Sequence, residues 1–288
     1  MKKLNQNESV NILIVGLGLL GGSYARALKK KGYTVRAITR SRSSVDFAVE
    51  NAIIDEGSIR VREDWIRNAD LTVFGLYPTT FVEWIRENGR LFPKGAVLTD
   101  VTGVKGAVVD TVQSLLPEGV EFIAAHPMAG REVYGVENSD DSIFRGANYI
   151  VVPTEKNTPE GIELCKELGK ELGFARISVL SPAEHDDMIA FLSQLTHCIA
   201  VSLMCCKDDE NLVAYTGDSF RDLTRIARIN EDMWSELFLM NQKTLLGEME
   251  NFRASFDTLY DAIKAGDREK MKELMRISTV RRAKFDRK

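Results

Sequence analysis

The feature that most constrains the fold is a glycine pattern near the start of the chain. Residues 12–15, ILIV, lead directly into Gly16, Gly18 and Gly21, and a stretch of helix-forming composition follows. In such a unit one glycine turns the chain, one lets the backbone approach a pyrophosphate, and one lets helix and strand pack closely. We therefore predict a dinucleotide site rather than a tight turn without a ligand, with the cofactor-binding residues Gly16, Gly18, Leu19, Leu20 and Gly21.

The pattern that follows this loop is that of an α/β protein. Short apolar runs alternate with amphipathic stretches, as in strands joined by crossover helices in a parallel sheet. The predicted strands are residues 11–15, 34–39, 71–76, 96–99, 121–125, 148–153 and 175–179, and the predicted helices are residues 22–31, 43–51, 79–91, 104–116 and 159–172. We therefore predict a Rossmann-like, doubly wound sheet over residues 1–180.

Helical patterns replace strand patterns after Val179. Ser181 as N-cap, Pro182 at the first helical position and Glu184 in the first turn predict the start of a helix. Residues 233–259 and 267–284 have apolar residues at helical spacing. We therefore predict an all-helical C-terminal domain over residues 181–288, which either supplies a dimer surface or folds back on itself.

Composition favours a small molecule as the partner. The chain has 38 Lys and Arg against 42 Asp and Glu, so its net charge of -4 gives no general attraction for nucleic acid or membrane phosphates. Its first apolar run is too short for a signal sequence or a membrane span, which predicts a cytoplasmic protein. The 4 cysteines lack CxxC spacing and there are only 3 histidines, so we predict no metal site.

The end of the second predicted strand bears on which dinucleotide binds. An acid in this region accepts hydrogen bonds from the adenosine ribose in NAD enzymes, whereas arginine accommodates a 2′-phosphate. The run here is Thr39, Arg40, Ser41 and Arg42, which has two cations and no carboxylate. These residues predict NADP, with NAD as the alternative if the arginines are solvated loop residues.

The histidines are the natural candidates for proton transfer, since the unperturbed pKa of histidine lies near neutrality. His126 ends an apolar predicted strand, which we expect to place it at the carboxyl edge of the sheet, where ligands bind in open α/β folds. His197 lies in the first helix of the second domain and is a candidate to face the cleft. His185 lies in the first turn of that helix, where we expect a local hydrogen bond.

Five motifs together resemble the prephenate and arogenate dehydrogenases of tyrosine biosynthesis. They occur in the order found in that family and span nearly the whole chain: GLGLLGGS at residues 16–23, DVTGVK at 100–105, HPMAG at 126–130, SQLTH at 193–197 and FRDLTRIA at 220–227. The resemblance implies oxidative decarboxylation of prephenate to 4-hydroxyphenylpyruvate. Arogenate would give tyrosine directly, and the sequence leaves that choice open.

The resemblance also implies roles for individual residues. His126 would accept the hydrogen bond of the ring hydroxyl, and Arg225 would pair with a substrate carboxylate. His197 would position or gate the substrate, and the family implies a homodimer formed through the helical domain. Surrounding polar and aromatic residues of the family pocket match Glu132, Asp222 and Trp234.

One position departs from the family pattern. Many relatives have a serine near the substrate hydroxyl where this chain has Gly103, so we expect the hydroxyl of Thr102, the backbone or water to replace it. Arg131, next to the HPMAG run, is a second candidate partner for a carboxylate. The resemblance further leads us to expect neither an ACT domain nor a fused chorismate mutase.

Two other classes of protein share parts of this pattern. Other two-domain NADP oxidoreductases, such as 3-hydroxyacid or imine reductases, also place an α/β domain before helices, but the hydroxyacid enzymes usually rely on a helical lysine. The candidate helix here has His197 instead. A non-catalytic dinucleotide-binding protein would have the same fold.

Overall fold

The central element is a parallel sheet of six strands. The computed structural model describes residues 10–286. The strands are arranged in the order β3-β2-β1-β4-β5-β6, and every pair is parallel. They are β1 (Asn11–Val15), β2 (Thr34–Ile38), β3 (Glu56–Ser58), β4 (Leu71–Phe74), β5 (Val97–Asp100) and β6 (Glu121–Phe122). The Rossmann-like sheet expected from the glycine pattern is therefore confirmed.

Both faces of this sheet are buried, which explains why its strands are continuous apolar runs. Ile12 and Ile14 of β1 belong to one hydrophobic core, and Leu13 and Val15 belong to a second core. Alternate side chains of a strand point to opposite faces, so helices must cover both sides. Six helices of this part of the chain are α1 (Leu19–Lys30), α2 (Arg42–Glu50), α3 (Glu63–Asn68), α4 (Pro78–Asn88), α5 (Gly106–Leu115) and α6 (Pro159–Glu171).

The sequence analysis did not predict two short elements, strand β3 and helix α3. Strand β3 has three residues and pairs with β2 at the edge of the sheet, while helix α3 has six residues, three of them charged. Neither is long enough to show a hydrophobic period, which is the signal on which a sequence-based assignment depends.

The prediction of one strand over residues 121–125 was wrong. The chain leaves the first sheet after β6, and β7 (Ala124–Pro127) belongs to a second sheet in the order β7-β8-β9. Strand β7 is antiparallel to β8 (Asn148–Val152), and β8 is parallel to β9 (Arg176–Val179). An apolar run predicts burial but not which neighbour each half will pair with. His126 consequently lies within an antiparallel strand, opposite Ile150, and not at the end of a strand of the parallel sheet.

The helical part begins where the capping signals predicted. Ser181 and Glu184 form a capping box at the start of α7 (Pro182–Ile189). A π-helical turn, Ala190–Leu195, joins α7 to α8 (Thr196–Cys205), so that the helical run is continuous from Pro182–Cys205. Wide turns of this kind are frequent at functional sites. The helices α9 (Asp218–Thr224) and α10 (Glu231–Met240) follow.

The helical run Pro182–Cys205 has the length and apolar composition of a membrane span, with a mean hydropathy of 1.7. Length and composition are weak evidence, because core helices of soluble proteins have the same properties. Four of its residues, Ile189, Ser193, Gln194 and His197, line a cavity in the protein. Its exposed apolar residues include Met188, Phe191 and Leu192, which lie on one face at helical spacing.

The chain divides into two compact units, residues 1–241 and residues 242–288. The second unit contains α11 (Gln242–Lys264) and α12 (Arg268–Arg282), which contact each other, and Asp267 caps α12. The apolar pattern over residues 233–259 is interrupted at Asn241, which ends α10. The side chain of Asn241 donates to the carbonyl of Asp186 and to Gln194 Oε1, both at hydrogen-bond distance. The change from strands to helices does fall near residue 180. The division into two domains at that residue stays a prediction.

Candidate active site

A cavity of about 440 Å³ lies beside the glycine loop. The first turn of α1, the segments after β4 and β5, and the segment from β7 onward form one side of it, and the helices α7, α8 and α10 with the π turn form the other. The cavity is lined by many of the residues that the sequence analysis singled out, which are Gly18, Leu19, Leu20, Thr102, Gly103, His126, Arg131, Glu132, His197 and Trp234. A cavity of this size suits a small organic substrate.

The glycine loop has the geometry that a pyrophosphate requires. Gly16 has a φ of 99°, and a Cβ on Gly21 would lie 1.9 Å from the carbonyl oxygen of Gly16, so neither position accepts a side chain. Gly18, by contrast, has no atom within 4 Å of an added Cβ. It is the N-cap of α1 and supplies no side-chain cap, which leaves backbone N–H groups at the helix start for an anion. The loop therefore fits a dinucleotide.

The four residues expected at the ribose end follow β2 directly. Thr39 donates its backbone N–H to Ser58, and the Ser41 hydroxyl accepts from the Ser44 N–H as the N-cap of α2. Arg40 is exposed, and Arg42 forms an exposed ion pair with Asp46 at 4.0 Å. The run thus presents two exposed arginines, Arg40 and Arg42, beside a helix start, and only Arg42 forms an ion pair within residues 10–286.

His126 is held by two groups of buried side chains. Its Nδ1 lies 2.8 Å from His185 Nε2, and His185 Nδ1 lies 2.7 Å from Asp186 Oδ1. Enclosure of the ring, together with the nearby His185 and Lys105, holds the pKa of His126 well below its usual value. His185 does form the expected local hydrogen bond, but its contact with His126 was missed because the two residues are 59 positions apart.

The second group fixes the backbone beside His126. The Lys105 ammonium, fully buried, donates to Asp100 Oδ2 at 2.7 Å and to the Ala125 carbonyl at 2.7 Å. Asp100 Oδ1 accepts the Ala125 N–H at 3.0 Å. Both polar groups of the residue before His126 are therefore bonded to one buried ion pair, which explains why the DVTGVK run contains an acid and a lysine.

Thr102 lines the cavity, but its hydroxyl faces the protein. The hydroxyl donates to the Asp100 carboxylate and to the Val104 carbonyl, the latter at 3.0 Å, and it accepts from the Lys105 ammonium at 3.1 Å. Since its one proton and one of its lone pairs are bonded to these buried groups, the structure does not bring the Thr102 hydroxyl to a substrate. A Cβ added to Gly103 would lie 4.0 Å from His126 Nε2, in ordinary contact with Leu237.

His197 stacks on an aromatic ring. Its ring centroid is 3.7 Å from that of Trp234, with 29° between the planes. Its Nδ1 donates to the Ser193 carbonyl at 2.8 Å, and burial lowers its pKa. Both rings line the cavity, which supports a neutral His197 that contacts a substrate through its remaining edge.

The two arginines proposed for carboxylate binding are already paired. Arg225 Nη1 donates to Glu132 Oε1 at 2.5 Å, and Arg131 Nη2 donates to Asp140 Oδ2 at 2.9 Å. Arg131 and Glu132 line the cavity. Arg225 is bonded to Glu132 and so lies next to the cavity lining. A substrate carboxylate at Arg225 would thus compete with Glu132.

Several cavity residues were missed from the sequence. Tyr77 follows β4, Gln194 lies in the π turn, and Arg228 lies three positions after Arg225. Asn230 caps α10 and donates weakly to the Tyr77 hydroxyl at 3.4 Å. The capping pattern of Asn230 followed by two acids could have located the start of α10. Among residues 10–286, no group of three or more His, Cys, Asp or Glu side chains is arranged to hold a metal ion.

A parallel α/β sheet, a glycine loop at a helix start and an enclosed histidine beside that loop define a nicotinamide dinucleotide-dependent dehydrogenase. The family model of the prephenate dehydrogenase nucleotide-binding domain matches residues 24–179, and the model of the prephenate dehydrogenase dimerization domain matches residues 181–277. The chain belongs to the prephenate dehydrogenase family.

Individual relatives agree with this assignment. A prephenate dehydrogenase of Bacillus subtilis is 30% identical over 93% of this chain and 74% of its own length, and a cyclohexadienyl dehydrogenase of Zymomonas mobilis is 29% identical over 89% of each. The structure of Aquifex aeolicus prephenate dehydrogenase with hydroxyphenyl propionate and NAD+ has a TM-score of 0.89 and 30% identity, and covers 98% of this chain and 100% of its own. These matches confirm the class of enzyme and of cofactor.

The alternative reductase classes share only the fold. A 3-hydroxyisobutyrate dehydrogenase of Mycobacterium tuberculosis has a TM-score of 0.52 at 13% identity, and it covers 75% of this chain and 70% of its own. Likeness at that level reflects a common α/β domain followed by helices and carries no statement about the substrate.

Proposed function

We propose that this protein oxidises and decarboxylates prephenate to 4-hydroxyphenylpyruvate and carbon dioxide. The observation that carries the proposal is His126, whose Nε2 faces the cavity close to Gly103 while its Nδ1 is bonded within the protein. When bound, the dinucleotide supplies the nicotinamide that accepts the hydride. His126 accepts the proton of the ring hydroxyl, and its lowered pKa keeps the imidazole neutral, and so able to accept a proton, at neutral pH.

Arg225 and Glu132 form the second part of the proposed site. The planar guanidinium of Arg225 can bind a carboxylate through two hydrogen bonds, and its present partner is the carboxylate of Glu132. Both side chains retain exposure to solvent. Exchange of Glu132 for a substrate carboxylate therefore requires only a side-chain movement. His197, stacked on Trp234, would contact the part of the substrate that points away from His126.

Arogenate is the second candidate substrate. A Synechocystis arogenate dehydrogenase structure has a TM-score of 0.82 and 25% identity over 96% of this chain, and the Zymomonas mobilis relative is named for cyclohexadienyl substrates. Arogenate differs from prephenate in bearing an amino group, so Glu132 at the cavity wall is the group that would favour it. A Glu132 that stays bonded to Arg225 favours prephenate.

For the cofactor we propose NADP before NAD. Arg40 and Arg42 provide the positive charge that a 2′-phosphate requires, and the run between β2 and α2 has no acid to bind the ribose hydroxyl. The Aquifex aeolicus relative is described with NAD+, which makes NAD the alternative.

We also propose that the protein acts as a homodimer. The helical part matches a family model described as a dimerization domain. Met188, Phe191 and Leu192 form an exposed apolar face on α7 and the π turn, a feature typical of interfaces. Sedimentation of the wild type as a dimer, and of Phe191→Glu as a monomer, would support this surface. A dimer unaffected by Phe191→Glu would exclude it.

One assay tests the substrate and the cofactor together. Formation of reduced nicotinamide is followed by absorbance with prephenate and with arogenate, each combined with NAD and with NADP. We expect the highest kcat/KM for prephenate with NADP. Lack of turnover with all four combinations, in protein that is folded by circular dichroism, would contradict the proposed function.

A further inference from the structure

Three side chains stand in line behind the cavity. His126 Nδ1 lies 2.8 Å from His185 Nε2, and His185 Nδ1 lies 2.7 Å from Asp186 Oδ1. His185 is completely buried. The two backbone N–H groups at the start of α5 donate to the same carboxylate, from Lys105 to Oδ1 at 2.8 Å and from Gly106 to Oδ2 at 2.7 Å. Asp186 therefore joins the line of imidazoles to the N-terminus of α5.

The hydrogen bonds of Asp186 determine where the protons lie. Burial alone would raise the pKa of Asp186, but hydrogen bonds from His185 and from the two backbone N–H groups outweigh burial and hold that pKa below its usual value. An ionised carboxylate only accepts, so His185 Nδ1 must donate to it. Burial, with the nearby Lys105 ammonium, lowers the pKa of His185 as well, so this ring is neutral and its Nε2 has a lone pair.

The same reasoning extends to the next ring. A lone pair on His185 Nε2 requires His126 to donate from Nδ1. The neutral His126 ring then has its own lone pair on Nε2, and a Cβ added to Gly103 at the cavity wall would lie 4.0 Å from this atom. Neutral histidine in water prefers the opposite tautomer, with the proton on Nε2. The preference is reversed here because His185 accepts only from Nδ1.

We propose that His185 and Asp186 are positioning residues that hold His126 in the tautomer with Nδ1 protonated, so that its basic Nε2 faces the substrate. This inference rests on the proposed function of His126 as proton acceptor. The substrate hydroxyl proton moves to Nε2, and the resulting imidazolium keeps its Nδ1–H bonded to His185. The negative charge of Asp186 stabilises that imidazolium through His185. No proton has to move from His126 to His185 or from His185 to Asp186.

The tautomer can be observed directly by nitrogen NMR. The chain has only 3 histidines, so 15N-histidine labelling gives three rings, and His197→Asn identifies the signals of the third. In the wild type at neutral pH we expect a protonated Nδ1 and an unprotonated Nε2 for His126. A wild-type His126 that is protonated on Nε2 would overturn the proposal without recourse to any variant.

Two substitutions of His185 separate positioning from packing. Glutamine has an amide oxygen that can accept from His126 Nδ1 and an amide nitrogen that can donate to Asp186, whereas leucine has neither. We expect His185→Gln to retain the Nδ1–H tautomer and His185→Leu to shift His126 toward Nε2–H. If His126 stays protonated on Nδ1 in a folded His185→Leu protein, His185 does not set the tautomer.

The kinetic consequence should appear mainly in kcat. We expect His185→Leu to lower kcat by about 10- to 100-fold, and His185→Gln to recover most of that loss, with KM for prephenate changed little in both. Equal losses in the two variants would indicate a packing role and overturn the proposal. Wild-type protein that has the expected tautomer but does not turn over prephenate would contradict the proposed function and leave the assignment of the tautomer intact.

Discussion

The guanidinium of Arg225 donates to the carboxylate of Glu132 at 2.5 Å, although the two residues are 93 positions apart in the chain. This pair joins the segment after β7 to the segment after α9, and Glu132 lines the cavity. Glu132 therefore binds the guanidinium of Arg225, the group to which the family resemblance assigns a substrate carboxylate. Its exposure keeps the pair weak enough to exchange.

We expect Arg225→Gln to raise KM for prephenate by about 10- to 100-fold with a small change in kcat, because a lost charge-assisted hydrogen bond costs about 1.5 to 3 kcal/mol. Arg131→Gln is the matched control. The family resemblance assigns the carboxylate to Arg225, so loss of Arg131, which forms an exposed ion pair with Asp140, should change KM by less than about fivefold. A large effect of Arg131→Gln with a small effect of Arg225→Gln would exchange the two roles.

Substitution of His126 should affect turnover more than binding. We expect His126→Asn to lower kcat by about 10²- to 10⁴-fold, the usual contribution of general base catalysis, with an unchanged dissociation constant for the dinucleotide. Steady-state rates and a fluorescence titration with reduced cofactor measure the two quantities. A variant that loses cofactor binding and retains kcat would remove His126 from the reaction.

The pH dependence follows from the lowered pKa of His126. A base whose pKa lies below the usual value of about 6.5 stays unprotonated to lower pH, so kcat/KM should fall only well below pH 6.5. The nearby His185 and Lys105 contribute to this shift along with enclosure of the ring. The measurement is a pH profile of kcat/KM for prephenate in the wild type. An acid limb at or above pH 6.5 would contradict the environment described for His126.

A serine should be accepted at position 103. The added Cβ would lie 3.5 Å from Leu237 and 4.0 Å from His126 Nε2, which are ordinary contacts. Because the hydroxyl would stand beside the proposed reaction centre, we expect Gly103→Ser to raise kcat/KM for prephenate by about 2- to 10-fold through one hydrogen bond. Gly21→Ser provides the contrast, since its Cβ would collide with the Gly16 carbonyl, and we expect it to abolish dinucleotide binding. A Gly103→Ser protein with unchanged or reduced kcat/KM would show that the substrate hydroxyl lies elsewhere.

Choice of cofactor should depend on Arg40 and Arg42. We expect the double variant Arg40→Ala, Arg42→Ala to raise KM for NADP by about tenfold or more and KM for NAD by much less, because only NADP has a 2′-phosphate. Arg36→Ala is a suitable control. Arg36 lies on β2, the strand that precedes Arg40, and its guanidinium pairs with Glu56 at 2.8 Å. Equal changes for the two cofactors would make Arg40 and Arg42 solvated loop residues.

Local patterns explain what could be predicted from the sequence. The strand before Gly16, the glycine loop and the capping box at Ser181 each depend on residues that are close in the chain. Patterns of this kind also located His126 near the site. They could not show that the run over residues 121–125 divides between two sheets, because strand pairing depends on residues that are distant in the chain.

The orientation of polar side chains was beyond local reasoning. Thr102 stands at the expected place beside the cavity, yet Asp100, Val104 and Lys105 turn its hydroxyl inward. His185 was expected to bond locally, and it does so with Asp186 while also reaching His126. Each case depends on which acceptor or donor the fold brings within hydrogen-bond distance, and the spacing of residues in the sequence does not show this.

By itself the amino-acid sequence determined the class of fold, the dinucleotide loop and the family, because strand period, helix caps and the conformational freedom of glycine are properties of short segments. Only the tertiary structure decided which residues surround His126. The neighbouring His185 and Asp186 come from one segment, and the buried pair of Lys105 and Asp100 comes from another, more than 80 positions earlier in the case of Lys105 and Asp186. Their positions are set by packing in a buried region, where a polar group without a hydrogen-bond partner is costly.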